Sequence, residues 1–423
     1  MAKTLPSFEA VAAELDRRRF VSLGFERIRA LLGALGEPQR ELRVVQVVGT
    51  NGKGTTAVAL SAALEALGET AGTYLSPHVT SYTERLRLRG TQATEEEFAR
   101  WLGHAIEVAD GIGAEVTQFE LLTAGALYAF REAGVRWAVL EAGLGARFDA
   151  TTAAGPEAVA LTNVGLDHTE YLGETIEEIS REKLASVPEG GTLFLGTDDP
   201  TVLGVARETC RERDARLVEG WRFRRVESRG LTPYARRNLA FGVGVGERLL
   251  GRELDRAGEE RVVGAVRGAL PGRFEVIRHQ GVDVILDGGH NVEGLEATLE
   301  AVREAYPGVR PGVVFGALRD KDTVGMLLRM VETAGRVFLT TPDDARAEKA
   351  HRVLERLLES GELPEPEVRR LVSVEPEPEE ALGRAVASAR ESDAECVLVT
   401  GSFTTVAGVR ERLLRATGEG EQR

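Results

Sequence analysis

Residues 48–56 read Val-Gly-Thr-Asn-Gly-Lys-Gly-Thr-Thr, a stretch whose residue types suit phosphate handling. Gly49, Gly52 and Gly54 let the backbone approach an anion closely. Lys53 can point an ammonium at terminal phosphates, and Thr55 or Thr56 can offer a hydroxyl to a divalent cation. The spelling is short. The common phosphate loop has four residues between its first glycine and its Gly-Lys pair, and a hydroxyl directly after the lysine. Here Thr50 and Asn51 alone separate Gly49 from Gly52, and Gly54 precedes Thr55.

Lysine is scarce in this chain. There are five, Lys3, Lys53, Lys183, Lys321 and Lys349, against 48 arginines. Arginine cannot stand in where a compact point charge or a deprotonated amine is required, so each lysine merits its own reading. Lys3 and Lys349 occupy ordinary basic positions. Lys53 centres the Gly-rich loop. Lys183 lies in a helical stretch, and its amine, once deprotonated, can react with CO₂ to give a carbamate that acts as a carboxylate. Lys321, in Arg-Asp-Lys-Asp, falls at a helix start where the dipole disfavours a cation, which suggests contact with an anion. Two further residues have metal-ligand character. Glu141 ends an apolar strand beside the loop, where a carboxylate can hold Mg²⁺ between phosphate oxygens. His168 follows another strand in Gly-Leu-Asp-His.

The elements that must position these residues alternate regularly. The apolar, unalternating run 43–49 predicts a strand buried on both faces, followed by a helix over 55–68. Strands are expected near 70–76, 136–143 and 158–165, and helices over 93–110, 119–134 and 174–187. The same grammar restarts with strands at 282–290, 312–318, 335–341 and 396–402 and a helix at 292–306. Two sets of βα units imply two α/β domains. A doubly wound, P-loop-type nucleotide domain is expected over 1–268. A linker follows at 269–276, punctuated by Pro271 and Gly272, and then a smaller Rossmann-like domain over 277–423. The Pro/Glu-rich segments 362–370 and 375–380 read as solvated loops.

Composition bounds the partners. Hydrophobic residues make up 43% and charged residues 28% of the chain, and the net charge is −14. No basic stripe is present, which argues against nucleic acid or an anionic membrane surface. An anionic substrate would therefore need a locally positive pocket. No apolar run reaches the roughly 20 residues of a membrane helix, and the N-terminus does not read as a signal peptide. Cys210 and Cys396 read as reduced thiols, so a cytoplasmic protein is expected. His78, His104, His279 and His351 read as structural or exposed.

Several stretches together resemble the folylpolyglutamate synthase/dihydrofolate synthase family of the Mur ligase superfamily. The loop GTNGKGT is in that family's spelling. YLSPHVTSYTERLRLRG (74–90), TQFELLTAGALYAF (117–130), EAGLGARFDAT (141–151), LTNVGLDHTEYLG (161–173) and ISREKLA (179–185) follow in register. PGRFEV (271–276), LDGGHN (286–291), GALRDKD (316–322) and VTGSFTTV (399–406) continue it through the second half.

The resemblance implies an ATP-dependent ligase that adds L-glutamate to a folate, to dihydropteroate, or to both, through an acyl phosphate. It implies that Ser76, Glu141 and His168 hold Mg²⁺, with two ions expected, and that Lys183 is carbamylated. Asn238, Arg273 and Asp287 would hold the nucleotide together with residues 49–55, and His290 and Ser402 would meet the incoming glutamate. Arg85 would contact an anion of the acyl substrate, and the enzyme is expected to be a monomer. Two alternatives stand beside this one: a ligase of the same superfamily that extends a peptidoglycan precursor, and a nucleotide-binding regulatory module without catalysis.

Overall fold

A computed structural model of the chain describes residues 6–20, 22–224, 226–392 and 394–417. Lys3 lies outside them. The chain divides into two compact units. One takes the chain to Leu231 together with Ala235–Leu270; the other takes Thr232–Tyr234 together with the chain from Pro271.

The first unit is built on eight strands among the described residues: β1 (Arg43–Val48), β2 (Ala71–Tyr74), β3 (Leu86–Leu88), β4 (Thr91–Gln92), β5 (Trp137–Glu141), β6 (Ala158–Leu161), β7 (Thr192–Leu195) and β8 (Arg216–Glu219). Their order is β4-β3-β2-β5-β1-β6-β7-β8. Strands β2, β5, β1, β6, β7 and β8 run parallel, and the β2–β3 and β3–β4 pairs are antiparallel. The central strands lack polar alternation because both faces are covered. Val45, Val47, Trp137 and Val139 feed one apolar cluster, while Val44, Ala138 and Leu140 feed the other. Strand β1 lies between β5 and β6, so the loops leaving all three emerge side by side at one sheet edge. Ligands of open α/β sheets bind at such carboxyl ends.

The Lys53–Ala66 helix packs on one face of this sheet, its residues Gly54–Ser61 all buried. The Pro233–Leu250 helix crosses it closely. A Cβ on Gly242 would stand 2.6 Å from the carbonyl oxygen of Thr56, so only glycine permits the approach. That crossing brings Asn238 over the start of the helix.

The second unit is built on β9 (Arg273–His279), β10 (Val282–Asp287), β11 (Gly312–Phe315), β12 (Arg336–Leu339), β13 (Val372–Val374) and β14 (Cys396–Thr400), in the order β13-β12-β11-β14-β10-β9. All neighbours are parallel except β9, which pairs antiparallel with β10. Strand β9 thus begins at Arg273.

One expectation is overturned. The segments 362–370 and 375–380 are not solvated loops: Glu365–Leu371 and Pro378–Glu391 are helices. Their prolines sit in or next to the first turn, where a helix needs no N–H. Each helix also has an anchor, Val368 in one and Ala381, Leu382, Ala385 and Val386 in the other, all buried. Both cysteines are buried free thiols. Among the described residues no helix is long and apolar enough to cross a membrane.

Candidate active site

The loop after β1 is locked from below by the loop after β6. The N–H of Thr50 donates to the Asn163 carbonyl at 3.0 Å, and the N–H of Asn51 donates to the Asn163 side-chain oxygen at 2.9 Å. Thr162 Oγ1 donates to the Asn51 carbonyl at 2.7 Å, and Thr50 Oγ1 accepts from the Gly165 N–H at 2.9 Å. Two positions in this turn require glycine. Gly49 has φ 145°, and a Cβ there would lie 1.9 Å from Thr162 Oγ1. Gly52 caps the helix at φ 79°, and its Cβ would lie 2.3 Å from Asn238 Nδ2. Asn238 therefore rests directly on the turn, its carbonyl accepting from Thr56 Oγ1 at 3.4 Å. Gly54 and Thr55 are buried in the first helical turn.

Two ammonium groups converge on one carbonyl. Lys53 Nζ donates to the Gly49 oxygen at 3.2 Å and to the Thr50 oxygen at 3.1 Å. Lys183 Nζ reaches the same Gly49 oxygen at 3.0 Å, from the end of the Ile176–Lys183 helix. Lys183 is 5% exposed. Burial first, and then the neighbouring Lys53 charge, bring its amine down to about 7; Asp167, Asp149 and Glu182 pull the other way. A buried amine near neutrality exposes a reactive lone pair at physiological pH.

Glu141 ends β5 and is 2% exposed. Its Oε2 accepts from the Ser76 N–H at 2.9 Å, which joins two of the expected metal ligands. His168 stands at φ 50° before a short helix, with Nε2 3.8 Å from Asp167 Oδ2. Among the described residues no group of three or more His, Cys, Asp or Glu side chains is disposed to hold a metal. The expected set is instead mixed: a hydroxyl, a carboxylate, an imidazole and an amine.

The 76–86 loop is internally braced. Glu84 accepts from the N–H groups of Val79, Thr80 and Ser81. Arg85 Nε donates to His78 Nδ1 at 2.7 Å. Burial, with the charges of Arg85 and Arg19 beside it, holds the His78 imidazole down to about 3, so the ring is neutral.

In the second unit, Asp287 is buried and takes four donors. Tyr234 Oη (2.7 Å) and the Phe274 N–H (2.9 Å) reach Oδ2, and the Gly289 N–H (3.0 Å) and Thr298 Oγ1 (2.7 Å) reach Oδ1. The Arg273 guanidinium lies 5.0 Å from the Phe403 ring centroid. His290 is partly exposed, with Nδ1 2.9 Å from the Gly288 oxygen. Ser402 is 3% exposed and bonds Thr405 through both its Oγ and the Thr405 N–H. Lys321 is buried, 3.2 Å from Asp320, two residues before the Thr323–Thr333 helix.

The structure adds Thr162 and Asn163 beneath the loop and Asp149 and Asp167 near Lys183, and in the second unit Tyr234 on Asp287. Asp149 accepts from the N–H groups of Gly143, Leu144 and Thr151 and is fully enclosed, with burial pushing its carboxyl up. Its signal was its place in a Gly-rich turn after β5. Tyr234 carried none, because its partner lies 53 residues away.

The Mur ligase middle domain profile matches residues 47–216, and the Mur ligase glutamate ligase domain profile matches 272–403. The chain is 30% identical to the dihydrofolate synthase/folylpolyglutamate synthase of Bacillus subtilis, over 93% of this chain and 95% of the relative. It is similar to the solved structure of E. coli FolC in complex with DHPP and ADP, at 26% identity and TM-score 0.80, covering 99% of this chain and 100% of that one. It is also similar to the bifunctional folylpolyglutamate synthase/dihydrofolate synthase of Yersinia pestis complexed with AMPPNP and Mn ion, at 28% identity and TM-score 0.78, covering 99% and 100%. With this identity running nearly end to end and both domain profiles in order, the chain belongs to the folylpolyglutamate synthase/dihydrofolate synthase family of the Mur ligases.

Proposed function

We propose that the protein is an ATP-dependent carboxylate–amine ligase that adds L-glutamate to a tetrahydrofolate, to dihydropteroate, or to both. A carboxylate and an amine do not form an amide spontaneously in water, so the carboxylate must first become a better acyl donor. The γ-phosphoryl group of ATP passes to the substrate carboxylate and gives an acyl phosphate and ADP. The glutamate amine then attacks the acyl carbon, the C–N bond forms, phosphate leaves with the electron pair of the C–O bond, and the nitrogen gives up a proton to the departing phosphate or water.

The N–H groups of residues 49–55 cradle the phosphates at the helix N-terminus, and Lys53 neutralises charge on the transferring group. Asn238, which rests on Gly52, would contact the nucleotide, as would Arg273 and Asp287. The four donors on Asp287 make its part largely one of holding the turn that bears Arg273. His290 and Ser402 serve the incoming glutamate.

Glu141 and Ser76, joined by a hydrogen bond, offer the oxygen ligands that Mg²⁺, a hard cation, takes. Glu141, Ser76 and His168 would hold it, and Lys183 would join them as a carbamate. When bound, two such ions would spread negative charge on the phosphates. Carbamate formation joins the neutral amine to CO₂ and releases a proton. It also turns the repulsion between Lys183 and Lys53 into an attraction. Residues 1–268 would act as the nucleotide domain and 277–423 as the glutamate-ligase domain of a monomeric cytoplasmic enzyme, joined through 269–276, whose last four residues open β9.

The observation that carries the reading is the pair of lysines on the Gly49 carbonyl, at the carboxyl end of β1 and beside the strand that ends in Glu141. The test is incubation with MgATP, L-glutamate and either tetrahydrofolate or dihydropteroate. ADP and phosphate should appear together with a product one glutamyl unit longer. Absence of glutamylation with every pterin tried would remove the folate assignment.

A further inference from the structure

Arg85 is a buried cation that forms no ion pair among the described residues. It is 8% exposed and ends the Tyr82–Arg85 turn. Its neighbours are neutral: the His78 imidazole on Nε, the Tyr82 ring 6.0 Å from the guanidinium, and the Tyr74 hydroxyl. That hydroxyl is itself buried. Among the described residues no carboxylate stands within ion-pair distance of Arg85. The acid next to it in sequence, Glu84, has both oxygens occupied by the N–H groups of Val79, Thr80 and Ser81. Arg410, buried to a similar degree, is paired with Glu275. A desolvated guanidinium without a counter-ion is costly and calls for an anion from outside the chain.

The geometry adds a second donor. Arg85 donates to His78 Nδ1, so the His78 proton sits on Nε2. The Arg85 carbonyl accepts from the Leu75 N–H at 2.9 Å. Arg85 therefore flanks Ser76, whose own N–H goes to Glu141. The loop neck thus carries a permanent cation next to a residue read as a metal ligand. A carboxylate that becomes an acyl phosphate loses its charge and belongs with Lys53 at the phosphate loop. A guanidinium that never titrates suits a carboxylate that keeps its charge throughout turnover.

We propose that Arg85, with the Nε2–H of His78, binds the non-reacting α-carboxylate of the terminal glutamate on the acceptor, so that this subsite selects glutamylated over unglutamylated pterins. The inference rests on the folate-ligase reading above and names the specificity of that site.

The test compares two ligands that differ in the glutamate alone. Equilibrium dissociation constants of tetrahydrofolate and tetrahydropteroate are measured on the full chain with Mg²⁺ and AMPPNP. The wild-type chain should prefer tetrahydrofolate by about tenfold or more, the scale of one charge-assisted contact. Arg85→Ala should reduce that preference to less than about twofold while leaving tetrahydropteroate binding within about twofold. Arg85→Gln, which keeps the bulk of the side chain, should do the same and serves if the alanine variant does not fold. Equal weakening for both ligands, an unchanged preference in a folded variant, or no preference in the wild type would overturn the proposal. Failure of the wild type to bind either pterin would instead overturn the folate reading itself.

Discussion

Replacing Gly49 by alanine tests the architecture of the phosphate loop directly. The substitution meets two separate obstacles. The first is conformational: φ at Gly49 is 145°, a region that side chains with a Cβ rarely occupy, at a cost of roughly 1–3 kcal/mol. The second is steric: the new methyl would stand 1.9 Å from Thr162 Oγ1 and 3.1 Å from the Asn163 carbonyl oxygen. Thr162 is 4% exposed and cannot simply swing into solvent. Displacing it breaks its hydrogen bond to the Asn51 carbonyl, about 1 kcal/mol more. Gly49→Ala should therefore cost roughly 2–4 kcal/mol of stability.

Gly68→Ala is the internal control. Its φ is +90°, yet a Cβ there meets nothing within 4 Å, so only the backbone term of about 1–2 kcal/mol applies. Urea unfolding reads stability, and titration with MgAMPPNP reads the loop. Gly49→Ala should weaken nucleotide affinity about tenfold to a hundredfold, because charge-assisted bonds from the loop N–H groups depend on its shape. Gly68→Ala should leave affinity unchanged. If Gly49→Ala is no less stable than Gly68→Ala and keeps its affinity, the tight seating of this turn against the β6 loop is wrong.

Lys183→Arg should abolish glutamate-dependent ADP release, because a guanidinium forms no carbamate; Lys183→Ala should be partly rescued by acetate or other short carboxylates, and full activity of Lys183→Arg would reject the carbamate. In CO₂-free buffer, Lys183 binds its proton less tightly folded, at about 7, than at its ordinary 10.5. Between these values the unfolded chain holds more protons, so stability should rise with pH across that window, by at most about 1.4 kcal/mol per unit. Lys183→Met should flatten that rise in urea titrations, and a slope unchanged by the substitution would contradict the burial argument. Tyr234→Phe removes one of four donors from the buried Asp287 carboxylate and should cost roughly 1.5–3 kcal/mol; a shift in the unfolding midpoint indistinguishable from zero would show that the bond is dispensable.

Local physics made much of this protein legible in one dimension. The unalternating run at 43–49 predicts a strand covered on both faces, and glycines around a lysine at its end suit close approach to an anion. The scarcity of lysine pointed to Lys53 and Lys183 separately. The acidic Pro/Glu segments misled because charge was weighed above the buried Val368 and Ala381–Val386 anchors and above the tolerance of a first turn for proline.

Chain order alone therefore settled the alternation of strands and helices, the Gly-rich turn and the residue types able to meet phosphate. Proximity was decided by tertiary structure. That two lysines 130 positions apart share the Gly49 carbonyl, that Asn238 rests on Gly52, and that no described carboxylate forms an ion pair with Arg85 are outcomes of strand order and helix crossing. Periodicity reports which face a residue occupies; it carries no information about which distant segment that face will meet, and burial, pKa and charge pairing all depend on the meeting.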